Sequence, residues 1–220
     1  MPEDVTKSSK RLLEPMERIS EVLFGLIMVL TFTCSFSVAG AGRTEIRKML
    51  LAALGCNLAW GVIDAVFYLM SCLSEQGHRI LALRALRKSA DAARAHCIIA
   101  AELPPLLASV LPEAEFEVMR RKLTQLPEPP AHPGLDKDDW LAAAGVFLLV
   151  FLSTFPVAVP FIFVHQARLA LRISNAVAIA MLFLCGYAFG LYSGFRPVRV
   201  GLVMVGVGIA LVGLTIALGG

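Results

Sequence analysis

The sequence predicts an all-α, polytopic membrane protein with five transmembrane helices and a polar helical insert between the second and the third. Hydrophobic residues make up 57% of the chain and charged residues only 17%, whereas roughly a quarter of an ordinary soluble domain is charged. The charged residues concentrate in 1–21, 43–48 and 75–139. The apolar stretches outside them reach the roughly 20 residues that a helix needs to cross a bilayer. Backbone amides in lipid must be paired within their own segment, and no alternating barrel pattern occurs, so the spans are predicted to be helices.

Five apolar segments are interpreted as the spans: 20–40, 47–72, 140–164, 172–194 and 198–218. A tight turn at Ala39–Arg43 joins the first two, and Gly194–Pro197 joins the last two. The first span begins near Ile19, has full length and runs directly into further spans, so residues 1–20 do not resemble a cleavable signal peptide.

The distribution of Lys and Arg predicts the orientation. Four lie in the N-terminal tail, nine in the insert and two in the 194–199 turn, against five on the opposite side. An excess of Lys and Arg marks cytoplasmic segments. The N-terminus and the insert are therefore predicted to be cytoplasmic and the C-terminus to lie outside, in the cytoplasmic (inner) membrane. The net charge of +3 is too small and dispersed to indicate nucleic-acid binding.

The predicted domains are 1–73, with the tail and two spans, 74–139, the cytoplasmic insert, and 140–220, with three spans. Leucine and isoleucine spacing in the insert predicts two or three short helices, followed by the proline-rich linker 127–134. Glu113 and Glu117 share one helical face near the basic run 120–122. A solvated face with intrahelical ion pairs is favoured, and a metal-collecting site is the alternative.

Asp64 is the only acidic residue well inside a predicted span, and a carboxylate there costs a few kcal/mol. Glu21 lies at the cytoplasmic end of the first span. Asn57 lies seven residues before Asp64, on roughly the same helical face. Met28 and Asp64 lie at equal distances from the cytoplasmic ends of their spans, which predicts that both are about 12 Å deep.

A carboxylate and a thioether at one level could bind a borderline-soft divalent cation, with Asn57 and Glu21 as further oxygen donors. The metal ligands predicted from the sequence are thus Asp64, Met28, Asn57 and Glu21. Structural explanations remain open. Met28 could face lipid or fill the core, Asn57 could make an interhelical hydrogen bond, and Asp64 could pair with Asn57, Thr31 or Tyr68.

Two further features have ordinary explanations beside functional ones. Pro156 and Pro160 interrupt the third span, and the carbonyls that they free could line an ion path or be satisfied by Ser153 and Thr154. The five cysteines show no paired spacing and are interpreted as small apolar fillers. No familiar enzyme motif is present, so the chain is not predicted to be an enzyme.

The layout resembles the vacuolar iron transporter family. Residues 20–26 (Ser-Glu-Val-Leu-Phe-Gly-Leu), Leu30-Thr31 and Ala39-Gly40 are similar to that family's acidic-x3-G-L-S-D-G-L-T…A-A-G first helix. The segment from Gly61 to Asp64 resembles its G-E-Y segment, Pro156 to Pro160 resembles its P-x-x-P third helix, and 217–220 is similar in character to its C-terminus. Three departures stand out. The family's central Asp falls at Met28, its second-helix Met falls near Asn57, and the insert lacks its E-x-x-E pairs.

The resemblance implies a homodimer that exports Fe²⁺ or Mn²⁺ from the cytoplasm along the interface of the first two helices, with proton exchange through Asp64 and Glu21 as the coupling hypothesis. The metal ion is then the substrate, and no resident cofactor is expected. The expected partners are the lipid bilayer, the divalent ion and a second copy, with no nucleic acid. A rival hypothesis from another class is a non-transporting membrane scaffold whose insert binds a cytoplasmic protein. A membrane enzyme is the weakest hypothesis.

Overall fold

The computed structural model describes residues 15–35 and 43–217. Within these ranges the chain forms helices and no strand, as the sequence predicts. The N-terminal tail, most of the predicted Ala39–Arg43 turn and residues 218–220 lie outside the described residues. The helices are α1 (Pro15–Ser35), α2 (Arg43–Lys88), α3 (Ala92–Glu102), α4 (Pro105–Val110), α5 (Glu113–Gln125), α6 (Lys137–Phe163), α7 (Ala167–Tyr192) and α8 (Pro197–Ala217).

Three helical segments in the described ranges are long and apolar enough to cross a membrane: Thr44–Lys88, Lys137–Phe163 and Leu169–Tyr192. In α8 the described apolar stretch, Pro197–Leu211, is shorter than these three. A membrane protein is thereby supported, and the count of five spans stays a prediction.

Helix α2 differs from the sequence prediction in its length. The sequence predicts that the second span of the chain ends at residue 72 and that a separate insert begins at 74. In the structure, one helix of 46 residues continues to Lys88. The polar residues from Ser74 onward end the apolar span, yet no proline follows before Lys88 to stop the helix. The sequence becomes polar at residue 74, but the backbone remains helical there.

The chain divides into two compact units, and the division falls within α2 after Tyr68. One unit, here called the membrane unit, comprises residues 1–68 and 137–220. The other, the insert unit, comprises 69–136.

Contacts in the membrane unit establish the helix directions. Asn57 of α2 meets Thr154 of α6, and Tyr68 packs near Val146, so α2 and α6 are antiparallel. The ring centroids of Phe24 and Trp60 lie 5.3 Å apart where α1 meets α2. The apolar core of this unit comes from α1, α6 and α7 and contains Leu26, Val29, Leu30, Val157, Ala178 and Leu182.

Glycines bring two pairs of helices close together. A Cβ added at Gly25 of α1 would lie 2.0 Å from Ser153 Oγ, so α1 approaches α6 with no room for a side chain. A Cβ at Gly201 of α8 would lie 2.7 Å from the Phe183 ring of α7. By contrast, nothing lies within 4 Å of a Cβ at Gly206. Gly201 therefore allows a close approach of α7 and α8, whereas Gly206 is not at a close contact with the described residues.

The insert unit has its own apolar core, formed by Leu86, Ala95, Ile99 and Phe116. Asp91 caps α3 by accepting a hydrogen bond from the amide of Ala93. The proline-rich linker is held by polar contacts within this unit. Arg84 donates to the carbonyls of Pro130 and Ala131, Arg87 donates to those of Leu126 and Pro127, and Gln76 Oε1 accepts from the Gly134 amide.

Candidate functional site

The carboxyl groups of Glu21 and Asp64 meet between α1 and α2. The two side chains lie within hydrogen-bonding reach of each other. Since a carboxylate can only accept hydrogen bonds, a bond between two carboxyl groups needs a proton on one of them. The second Asp64 oxygen, Oδ2, is buried and has no hydrogen-bond partner among the described residues. The site therefore presents two neighbouring carboxyl groups and one buried oxygen that is available to a further ligand.

This carboxyl pair lies near one end of the membrane unit. Gly61 of α2 lies against Phe147 of α6, and Phe147 is seven residues beyond Trp140, or about 10 Å along the helix. Because α2 is antiparallel to α6, Asp64 lies closer to the Trp140 end than Gly61 does. Trp is enriched at membrane–water interfaces, so we expect the pair to lie within about 10 Å of an interface at the level of Trp140.

Asn57 connects three helices. Its side chain is fully buried, and its Nδ2 donates to Thr154 Oγ1 at 2.6 Å and to the Gly25 carbonyl at 3.3 Å. The interhelical hydrogen bond expected for Asn57 is therefore present. Its own carbonyl oxygen, Oδ1, is buried without a hydrogen-bond partner among the described residues. Such an orphaned acceptor is costly unless a donor, water or cation occupies the position.

Met28 does not lie at the level of Asp64. Glu21 pairs with Asp64 and Gly25 with Asn57, so α1 and α2 are antiparallel, and Met28 is seven residues, about 10 Å, beyond Glu21 along α1. The equal depth predicted for Met28 and Asp64 is wrong in this geometry. That estimate counted from the predicted ends of the spans, and α2 has no end at residue 72. Met28 is partly buried and lies one turn beyond Gly25.

The structure thus gives the four predicted ligands an order along α1 and α2. Glu21 and Asp64 come first in this order. Asn57 Oδ1 lies about two turns from Asp64 along α2, at the height of Gly25 in α1. Met28 lies one turn beyond Gly25. Thr154 was considered in the sequence only as a neighbour of the prolines, and the structure shows it as the side-chain partner of Asn57. No sequence signal joins residues 97 positions apart.

Helix α6 remains continuous through both prolines. The Ser153 hydroxyl donates to the Val150 carbonyl at 2.7 Å. The hydroxyl has only this one hydrogen, so it does not donate to the Leu152 carbonyl, which Pro156 leaves without its helical hydrogen bond.

Ion pairs occupy the carboxylate of Glu117 in the insert unit. Glu117 accepts from Arg120 at 2.7 Å and from Arg121 at 3.0 Å, and His96 Nε2 lies 3.4 Å away. The Arg120 and Arg121 hydrogen bonds lower the pKa of Glu117 to about 2. Across the described residues, no three His, Cys, Asp or Glu side chains are arranged to hold a metal ion. The structure therefore confirms the ion-pair interpretation for Glu117.

Comparison with known protein families gives one match. The model of a family described as the VIT family matches residues 81–220, which is more than half of the chain. No curated protein matches the chain. Glu21, Met28, Asn57 and Asp64 all precede the matched segment, so their roles depend on the geometry of α1, α2 and α6.

Proposed function

This chain belongs to the vacuolar iron transporter (VIT) family, and we propose that it exports divalent transition-metal ions, Fe²⁺ or Mn²⁺, from the cytoplasm in exchange for protons. Membership in a family of metal ion transporters and apolar helices long enough to cross a bilayer support transport across a membrane. The substrate, direction and coupling are supported by the chemistry of the carboxyl pair and by the orientation that the Lys and Arg distribution predicts.

The observation on which the proposal rests is the close approach of the Glu21 and Asp64 carboxyl groups. With one shared proton the pair has a charge of −1. Loss of that proton gives two carboxylates, which a divalent cation neutralises. Carboxylate oxygens are suitable ligands for Mn²⁺, and a cation offsets the cost of two charges in the membrane unit. Reprotonation of the pair releases the ion, so at least one proton is exchanged for each ion that leaves.

Asn57 and Met28 extend this route along α1 and α2. The buried, unpartnered Oδ1 of Asn57 is an oxygen donor beyond the carboxyl pair. Met28 lies further along and offers a thioether, which hard cations such as Mg²⁺ and Ca²⁺ do not favour as a ligand. The ion therefore passes from carboxylate oxygens to an amide oxygen and then to sulfur. This order favours transition metals over Mg²⁺ and Ca²⁺.

Flux into proteoliposomes tests this function. Purified protein is reconstituted, and movement of Fe²⁺, Mn²⁺, Co²⁺ and Zn²⁺ is measured under an imposed pH gradient. We expect Fe²⁺ or Mn²⁺ flux that the gradient drives, and we expect Asp64→Asn to abolish it because the amide can neither give up a proton nor neutralise the ion. Glu128→Gln, an exposed carboxylate in the linker of the insert unit, is the matched control and should retain flux. Wild-type flux in Asp64→Asn would refute the site assignment.

A second candidate, a scaffold that binds a cytoplasmic protein, is favoured by one feature of the insert unit. An apolar groove of about 460 Å³ lies between α2, α3 and α5, with Leu83, Ile98 and Met119 among its lining residues. The same assay separates the two functions, because a scaffold gives no flux with any of the four ions.

A further inference from the structure

The membrane unit has an elongated groove where α1, α6 and α7 meet. Its volume is about 520 Å³. Leu141, Gly145, Leu152 and Pro156 of α6 form its length, Met181 of α7 lies on one side, and Arg18 of α1 is its only charged lining residue. None of the metal-site residues lines it.

The length and chemistry of the groove match an acyl chain. From Leu141 to Leu152 the helix rises about 16 Å, close to the roughly 15 Å of hydrocarbon depth that one leaflet of a bilayer provides. Leu148 and Leu152 are 47% and 52% exposed on the apolar wall. In a helix that is long and apolar enough to cross a membrane, such a wall faces hydrocarbon.

The position of Arg18 specifies the headgroup. Arg18 and Leu141 line the same groove, and Leu141 directly follows the exposed Trp140. Trp residues lie at the level of lipid headgroups. Arg18 precedes Gly25 by seven residues and Trp140 precedes Ser153, which Gly25 contacts, by thirteen, so Arg18 lies within about 10 Å of that level. A guanidinium binds phosphate oxygens through paired hydrogen bonds, and basic pockets between transmembrane helices bind anionic headgroups.

We propose that this groove is a binding site for an anionic phospholipid of the surrounding bilayer. The lipid phosphate binds Arg18, and one acyl chain lies along α6 as far as Leu152. The groove also includes Ser153, the neighbour of Thr154, whose hydroxyl binds Asn57. A bound chain therefore supports the packing of α6 against α1 and α7. The proposal does not depend on metal transport.

Lipid binding is measured on the full chain in detergent by native mass spectrometry and by thermal unfolding, with phosphatidylglycerol and phosphatidylcholine as the two probes. We expect saturable binding of phosphatidylglycerol that raises the unfolding temperature, with a weaker effect of phosphatidylcholine. Arg18→Gln should weaken phosphatidylglycerol binding about fivefold and remove the preference between the two lipids. Arg199→Gln, at an exposed Arg near the start of α8, is the matched control and should keep both.

A second variant tests the groove independently of the charge. Gly145→Leu places a side chain in the groove and should reduce retention of both lipids, with helix content checked by circular dichroism. Equal binding of the two lipids by the wild type, or full phosphatidylglycerol affinity in Arg18→Gln, would overturn the proposal. Efficient disulfide formation between two Leu148→Cys copies in the membrane would show that a second copy covers the groove, and this also overturns it.

Discussion

Among single residues, Asn57 has the most constrained surroundings. It is fully buried, its two donated bonds reach α1 and α6, and its own oxygen lacks a partner among the described residues. A buried oxygen without a hydrogen-bond partner is costly for stability. That cost is accounted for if the oxygen serves a passing cation, as proposed above.

A double-mutant cycle measures the bond between Asn57 and Thr154. We expect a coupling free energy of about 1 kcal/mol for Asn57→Ala combined with Thr154→Val, since side-chain hydrogen bonds between membrane helices have modest strength. Unfolding in detergent provides the free energies. Asn57→Ala combined with Ser174→Ala is the control and should be additive to within about 0.5 kcal/mol, because Ser174 bonds instead to the Val157 carbonyl. Additivity in the first pair would show that the bond contributes nothing.

Among helix pairs, α1 and α6 make a notably close approach. A Cβ at Gly25 would lie 2.8 Å from the Val150 carbonyl as well as 2.0 Å from Ser153 Oγ. A flexible side chain could turn aside, but a backbone carbonyl cannot. The approach is also what allows the Gly25 carbonyl to reach Asn57.

Gly25→Ala should therefore destabilise the protein by about 1–3 kcal/mol, the usual range for overpacking, although alanine is the better helix former. The free energy of unfolding in detergent is the measurement. Gly206→Ala has open space around its Cβ and serves as the control; there we expect no loss and a gain of up to about 1 kcal/mol from helix propensity. Equal effects at the two glycines would contradict the close packing of α1 on α6.

Glu117 of α5 lies 3.4 Å from His96 of α3, and the stability of the insert unit should depend on pH through Glu117. Binding by Arg120 and Arg121 lowers the pKa of Glu117 from 4.5 to about 2. A lowered folded pKa stabilises the folded state above the unfolded pKa, and the contribution disappears as pH falls from about 4.5 towards 2. Amide hydrogen exchange of α3 and α5, corrected for intrinsic rates, should show protection declining over that window.

Glu117→Gln should lower protection at neutral pH and flatten its dependence between pH 4.5 and 2. Glu115 is an exposed carboxylate in the first turn of α5. We expect the control variant Glu115→Gln to keep the wild-type profile. An unchanged profile in Glu117→Gln would mean that the ion pairs do not stabilise the insert unit.

At the scale of the whole molecule, the open question is orientation in the membrane. The Lys and Arg distribution predicts a cytoplasmic insert, and the insert contains one exposed cysteine, Cys97. A membrane-impermeant maleimide should label Cys97 in opened cells and not in intact ones. The Cys97→Ser variant identifies the signal. Labelling of Cys97 in intact cells would reverse the predicted orientation.

The sequence by itself determined that this is an all-helical membrane protein, and it selected Asp64, Asn57 and Glu21 as residues of interest. These conclusions depend on local composition, because the transfer free energy of each residue into lipid depends on its own side chain.

The tertiary structure alone decided which residues meet. Asp64 pairs with Glu21 and not with Met28, Asn57 finds Thr154 on a distant helix, and α2 continues past the end of its apolar stretch. Pairing depends on the direction and axial offset of packed helices. Direction and offset are set by steric contacts between helices, such as that of Gly25 with Ser153. Counting residues along a single segment gives no information about such contacts.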